Sequence, residues 1–318
     1  MTNNINSSNN VAHTVIEAST AAVHNGVFHL DDVAAVWLLK KFNPGISVAR
    51  TRNPQVIDNS GLAVDVGGKY DGERRFDHHQ PDAPVRESGQ KYSAFGQLWQ
   101  VLGRELLFQC LPEDLVETAF AEFDREVVLP VDRRDNGAKD YKAGELADLG
   151  VLIGQFNSFE DPFSKGNDAL FEKAVEAVTP FLDNYITLLS KKVKGAATIK
   201  KLLLEAASKG DTIAYIPQGL GPWKDVLTDK EIWNATLDMR GVLVSQGGTK
   251  WGITMWPHIP GPTFELRWVL EQSLKDDYGM DFIHANGFFG VFQAPSLEEA
   301  LVKAKAIVSE ATKVRYDS

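Results

Sequence analysis

Asp77-His78-His79 sets two adjacent imidazoles behind a carboxylate, a few residues past the turn residues Gly67-Gly68. Upstream, His24 and His29 are separated by four residues, with Asp31 just beyond, and Asp65 closes the apolar run Leu62-Ala63-Val64. Four of the chain's seven histidines therefore fall between residues 24 and 79, with aspartates among them. Carboxylates suit hard divalent ions, imidazole adds affinity for Mn²⁺ through Zn²⁺, and a set without cysteine does not read as structural zinc. Two ions about 3.5–4 Å apart can share a carboxylate, generate hydroxide near neutral pH and clamp a phosphoryl oxygen. His24, His29, Asp31, Asp65, His78 and one of Asp132 or Asp135 provide six ligand groups for such a pair. The chemistry expected is two-metal phosphoester hydrolysis, with two Mn²⁺ as the first expectation and Co²⁺, Mg²⁺, Fe²⁺ or Zn²⁺ as alternatives. Each residue also has a structural reading alone: His24 can end a strand, Asp65 can open a turn, and Asp31 or Asp32 can cap a helix. Asp32 is taken as the cap, leaving Asp31 for the metal.

The elements that must position these groups read as an α/β arrangement. Residues 18–23 form an apolar strand ending at His24, and residues 30–42 carry Val33, Val36, Trp37, Leu38 and Leu39 at helical spacing until Asn43-Pro44-Gly45 stops them. Residues 46–52 and 62–66 read as second and third strands. In a parallel sheet, ligands gather at the carboxyl ends of the strands, where His24 and Asp65 stand and the His78 loop returns. Helices are expected over residues 92–107, 111–131 (broken only by Pro112 and Pro130 near its ends), 144–156 and 167–189. A second region follows, with strand character at 211–217, a hairpin of strands 241–245 and 251–256, and helices at 263–277 and 297–311.

At 318 residues and 43% hydrophobic, the chain has material for two cores. The expected division is a disordered polar tail over 1–17, a metal-binding catalytic domain over 18–195 and a substrate-binding domain over 196–318. Cys110, the lone cysteine, reads as a small buried hydrophobe. No apolar run reaches 18 residues, and the polar first ten residues resemble neither a secretory signal nor a transit peptide. A cytoplasmic location without membrane contact is expected. A net charge of −10 argues against sequence-blind duplex DNA binding, which needs many Lys and Arg. It leaves room for a nuclease that holds a few nucleotides, where bound metals supply positive charge. Residues 190–209 carry six lysines against Glu205, either a solvated helix face or a strip guiding a nucleic-acid strand.

The order His24-x4-His29-x-Asp31, Asp65-Val66-Gly67-Gly68, Asp77-His78-His79 and Asp132-x-x-Asp135-Asn136-Gly137 resembles the DHH phosphoesterase superfamily. More narrowly it resembles the melanocyte-proliferating-gene-one family of Myg-type exonucleases. The likeness runs through Arg50-Thr51-Arg52, Lys91-Tyr92-Ser93, Gly221-Pro222-Trp223-Lys224 and His284-Ala285-Asn286-Gly287-Phe288. It departs at residues 257–268, where only Arg267 matches an arginine- and proline-rich pattern, and His29 stands where the wider superfamily has Asp. The resemblance implies a DHH-type parallel-sheet domain, a second, smaller α/β domain, and an active site in the cleft between them. It implies metal-dependent 3′–5′ exonucleolysis of single-stranded or short RNA, releasing nucleoside monophosphates. One ion would take His24, His29 and Asp65; the other would take Asp31, Asp65 and His78 with Asp132 or Asp135. Asp65 would bridge, His79 would contact the scissile phosphate, and Asp77 would orient a histidine. Arg52, Lys91 and Ser93 would face the substrate, as would His284, Asn286 and Gly287 from the second domain. The alternatives are a phosphatase or phosphodiesterase for small phosphoesters (pyrophosphate, very short oligonucleotides, cyclic dinucleotides) and a non-catalytic nucleotide-binding protein. The complete ligand set disfavours the last.

Overall fold

Strands β1 (Thr20–Val23) and β3 (Leu62–Val64) are fully buried from Ala21 and Leu62 onward, which requires cover on both faces and favours a parallel sheet. The computed structural model, which describes residues 11–138, 147–158, 160–260 and 265–314, shows that sheet. With β2 (Ser47–Arg50) and β4 (Arg75–Phe76) it has the order β2-β1-β3-β4, parallel throughout. Val23 pairs with Arg50 on one side and Val64 on the other, and Val64 pairs with Phe76. The four strands therefore end level, and His24, Asp65 and Asp77 are the next residues of three adjacent strands.

Helix α1 (Leu30–Phe42) matches its expected span, and every residue from Leu30 to Leu39 is buried, Asp31 and Asp32 included. Helix α2 (Pro54–Asn59), absent from the sequence expectation, links β2 to β3 and is capped by the Asn53 side chain, which accepts from Gln55 N–H. Helix α3 (Ala94–Phe108) starts at Ser93, whose hydroxyl accepts from Gly96 N–H. Trp37 of α1 meets Phe95 of α3 edge-on, and Trp99 stacks on Phe123 at 4.3 Å. Next come α4 (Glu113–Phe123), a π-helical turn (Asp124–Val128) and α5 (Leu129–Asp135). Pro130 does not break this run, because it falls in the first turn of α5, where a missing N–H is tolerated.

Helix α6 spans Ala147–Gly154, and α7 is one helix, Lys165–Ser208, with Pro180 inside it, longer than the sequence pattern suggests. The chain divides into two units, Met1–Ser190 and Lys191–Ser318. The second is built on a mixed sheet of order β5-β6-β7-β10-β9: β5 (Ile213–Tyr215), β6 (Gly241–Gly247), β7 (Lys250–Met255), β9 (Met280–Ile283) and β10 (Phe289–Gln293). Its core gathers Leu243, Ile253, Met255 and Phe292 with Ala300, Ala304 and Ile307 of the last helix, Leu297–Ser309.

Two expectations need correction. The helix over 263–277 is absent among the described residues of that stretch, apart from the short turn Leu274–Asp277. Leu266, Leu270 and Leu274 are buried at the helical spacing that suggests it, but β8 (Trp268–Val269) pairs antiparallel with β11 (Thr312–Lys313). Within the expected tail, residues 11–16 are helical, with Ala12 and Val15 buried; residues 1–10 lie outside the described residues, as do 139–146 and so the start of the helix expected over 144–156. Among the described residues, no helix is long and apolar enough to cross a membrane.

The helix that presents Asp132 packs directly on α3, and a Cβ at Gly96 would overlap the Asp132 carboxylate. Gly96→Ala is expected to destabilise the protein by about 1–3 kcal/mol despite its better helix propensity; chemical denaturation with an unchanged or raised midpoint would contradict this packing.

Candidate metal centre

Asp65 has a φ of 55°, the only positive value at a non-glycine residue among those described. The left-handed conformation costs an L-residue roughly 1–2 kcal/mol, and Asp and Asn visit it more readily than most. Gly67 and Gly68, with φ of 101° and 65°, complete the turn. It brings the two Asp65 oxygens to different histidines: Oδ2 is 3.2 Å from His24 Nε2, and Oδ1 is 3.1 Å from His78 Nε2.

Around each histidine further carboxylates converge. His24 Nδ1 lies 3.1 Å from the Asn25 carbonyl, and its Nε2 lies 3.2 Å from Asp32 Oδ2. The other Asp32 oxygen accepts from His29 N–H and Val33 N–H, so one carboxylate both caps α1 and faces the site. His78 Nε2 is 2.9 Å from Asp135 Oδ2 and 3.9 Å from Asp31 Oδ2. Asp31 accepts from Ala94 N–H and Phe95 N–H at the N-terminus of α3, where free amides and the helix dipole favour an anion. Asp77 accepts from Gly68, His78 and His79 N–H, and lies 2.7 Å from His79 Nδ1.

Three sets result: His24, Asp32 and Asp65; Asp31, His78 and Asp135; and Asp65, His78 and His79, each with ligand atoms within 4.8 Å of one another. Asp32 Oδ2, Asp65 Oδ1 and His78 Nε2 are buried and make no hydrogen bond, although other groups of the site lie at ion-pair distance. Buried polar atoms that converge without satisfying each other suit the binding of a cation.

The electrostatics agree. Burial works against a charge on His24, but the Asp65 and Asp32 carboxylates prevail and raise its pKa to about 9. Burial opposes His78 likewise, and Asp135, Asp65 and Asp31 together raise it to about 11. Burial raises Asp32 to about 7, and burial with the neighbouring Asp135 pushes Asp31 well above the usual carboxylate range. Asp65, despite burial, is held below that range by His24 and His78. The Asp77 contact raises His79.

Several expected site residues lie outside these three sets. His29 belongs to none of the three sets: it precedes α1, its side chain is 58% exposed, and Nδ1 lies 3.9 Å from Asp135. Asp32, expected as a cap, lies beside His24 through its second oxygen. Asp132 is not in the sets either. Fully buried, it accepts from Ser93 N–H and Oγ–H and from Arg86 Nε and Nη2, while Arg86 also pairs with Asp124. Of the two candidates, Asp135 reaches the site. Ser93 is buried under this network and cannot face a substrate, and Lys91 Nζ donates to the Gln80 carbonyl. Arg52 binds Asn25 through its carbonyl and side chain and borders a cavity of about 420 Å³ lined also by His24, Asp65, Lys69 and His79. In the second unit, His284, Asn286 and Gly287 form the β9–β10 turn. Asn286 N–H donates to His284 Nδ1, and Gly287, with φ 67°, packs where a Cβ would lie 2.7 Å from the Leu270 carbonyl.

A sequence profile described as MYG1_exonuc, Uncharacterised protein family (UPF0160), matches residues 20–307. The chain is 27% identical over 322 residues to the MYG1 protein C694.04c of Schizosaccharomyces pombe, covering 89% of this chain and 95% of the relative. It is 26% identical over 322 residues to the MYG1 exonuclease of Homo sapiens, covering 90% and 85%. Among solved structures, RecJ in complex with Mn²⁺ from Thermus thermophilus aligns over 96% of this chain and 55% of its own, at 16% identity and a TM-score of 0.29, too distant to assign a shared fold.

Near neutral pH, without a cation, His24 and His78 both carry the proton that a cation at Nε2 must displace. Divalent-ion affinity should therefore rise with pH between 6 and 9, by about tenfold per unit for each proton released. Calorimetric titration of Mn²⁺ in buffers of different ionisation enthalpy reads that release directly, and a pH-independent affinity without proton release would contradict ligation by these two nitrogens.

Proposed function

The chain belongs to the MYG1 exonuclease family, and from that premise we propose that it is a metal-dependent phosphodiesterase, a 3′–5′ exonuclease on single-stranded or short RNA that releases nucleoside monophosphates. The observation that carries the reading is the division of Asp65 between two buried histidines whose surroundings leave ligand atoms unsatisfied. His24, Asp32 and Asp65 would hold one divalent ion, and Asp31, His78 and Asp135 with the shared Asp65 the second; Mn²⁺ suits this mixture of imidazole and carboxylate. Bound there, such ions would supply Lewis-acid polarisation of a phosphoryl oxygen and lower the pKa of water.

The chain's own groups do the rest. Asp77 engages His79 Nδ1 and favours its protonated form, so the exposed ring offers an N–H at Nε2 to charge developing on a phosphate. Arg52, at the edge of the adjoining cavity, provides a guanidinium for a neighbouring phosphate. The buried carboxylates exclude bulk water from the inner side of the site. RNA as substrate and 3′–5′ polarity are carried over from the sequence resemblance, and the relatives' names say exonuclease alone. A second reading, hydrolysis of pyrophosphate, very short oligonucleotides or cyclic dinucleotides, is favoured by the net charge of −10 and by a cavity of roughly nucleotide size.

Purified protein with 5′-labelled single-stranded RNA should give a Mn²⁺-dependent ladder shortening from the 3′ end. Asp65→Asn, which keeps a side chain tolerant of the left-handed backbone, should lower the rate by more than about a hundredfold. Its circular dichroism should stay close to wild type, with a lower melting temperature because two buried histidines lose their shared carboxylate. Unimpaired hydrolysis by that variant would refute the shared-ligand role. An inert response to RNA, with turnover of pyrophosphate or dinucleotides, would select the second reading.

A further inference from the structure

Asn136 ends α5 and precedes Gly137, whose φ is 67°, so its plain role is to close a helix. Its side chain has additional work. Nδ2 donates to the Lys91 carbonyl at 3.2 Å and to the Asp132 carbonyl at 2.8 Å. Carbonyls only accept, so two of them facing one end of the amide identify that end as the NH₂ group. The other end, Oδ1, lies 3.1 Å from His78 Nδ1. An amide oxygen cannot donate, so the proton of this hydrogen bond sits on His78 Nδ1. The opposite ring nitrogen, Nε2, is the buried atom that makes no hydrogen bond and faces Asp65 and Asp135.

We propose that Asn136 is a positioning residue: it keeps a proton on His78 Nδ1 and so leaves Nε2 as the nitrogen that a divalent cation can take. The inference rests on the metal-centre reading and adds the device that sets the tautomer. It also gives Asp132 a task. The Asp132 carboxylate is fixed by Ser93 and Arg86, and its backbone carbonyl is one of the two that orient the Asn136 amide. Removing a partner that orients a metal-binding histidine typically lowers metal affinity by about 10–100-fold.

Full-length wild type, Asn136→Leu and Gly137→Ala separate this role from helix closure. Asn136→Leu keeps the side-chain size and removes both ends of the amide; Gly137→Ala strains the same helix end and leaves the amide in place. Mn²⁺ titration at fixed pH should show about 10–100-fold weaker binding for Asn136→Leu and near-wild-type binding for Gly137→Ala, with folding of each checked by circular dichroism. Nitrogen NMR of the Zn²⁺-loaded wild type, which needs no variant, should show the metal on His78 Nε2 and a solvent-protected proton on Nδ1. Equal affinity in folded Asn136→Leu, equal weakening in both variants, or the metal on Nδ1 would each overturn the proposal. A wild type that binds neither Mn²⁺ nor Zn²⁺ would instead overturn the metal-centre reading, and this inference with it.

Discussion

One carboxylate facing two histidines is the interaction on which the first unit depends. Asp31, Asp32, Asp65, Asp77 and Asp132 are all buried, and each buried charge needs a partner or a full set of hydrogen bonds. Three find them within the fold, and Asp32 does so through one oxygen only. Asp31 has the first amides of α3, Asp32 those of α1, Asp77 the amides of its own turn, and Asp132 has Arg86 and Ser93. Asp65 leans on His24 and His78 instead. The centre is thus balanced only when positive charge occupies it, as protons on the imidazoles or as cations among the ligand atoms. A backbone turn in the left-handed region adds local strain at the same residue. Both costs fall where the chemistry is, a common placement for functional strain.

The sheet makes that concentration possible with little chain. Because Val23, Val64 and Phe76 lie in register across adjacent parallel strands, the residues that follow them arrive at one edge without long loops. The fully buried first turns of α1 bring Asp31 and Asp32 to the same edge. Parallel register and the N-termini of α1 and α3 thus converge on a common spot, the physical basis of the rule that α/β sheets bind ligands at their carboxyl ends.

Much of this is legible in the chain. Short apolar runs ending in His or Asp announce the strand ends, and α1 follows from the spacing of its apolar residues and its Asn-Pro-Gly stop. What escapes are features set by distant partners. Asp132 and Asp135, three residues apart, look equivalent in sequence, and what separates them is Arg86, 46 residues before Asp132, whose guanidinium claims the first. Asp32 reads as a cap because sequence cannot show that one oxygen caps while the other faces His24. Strand β4, two residues long, carries no periodicity to detect. At 263–277 leucine spacing suggests a helix, whereas pairing with a segment near residue 312 decides the conformation.

The π-helical turn at Asp124–Val128 has a consequence for how this chain can vary. Such a turn behaves as one extra residue accommodated within a helix. Losing a residue there would restore a regular helix at little local cost. Everything downstream would then be rotated by about 100°, carrying Asp135 and Asn136 off the centre and Asp132 away from Arg86 and Ser93. The turn's length is fixed by the site it aims, so its tolerance to insertion and deletion should be far lower than the exposure of Arg125 and Glu126 suggests.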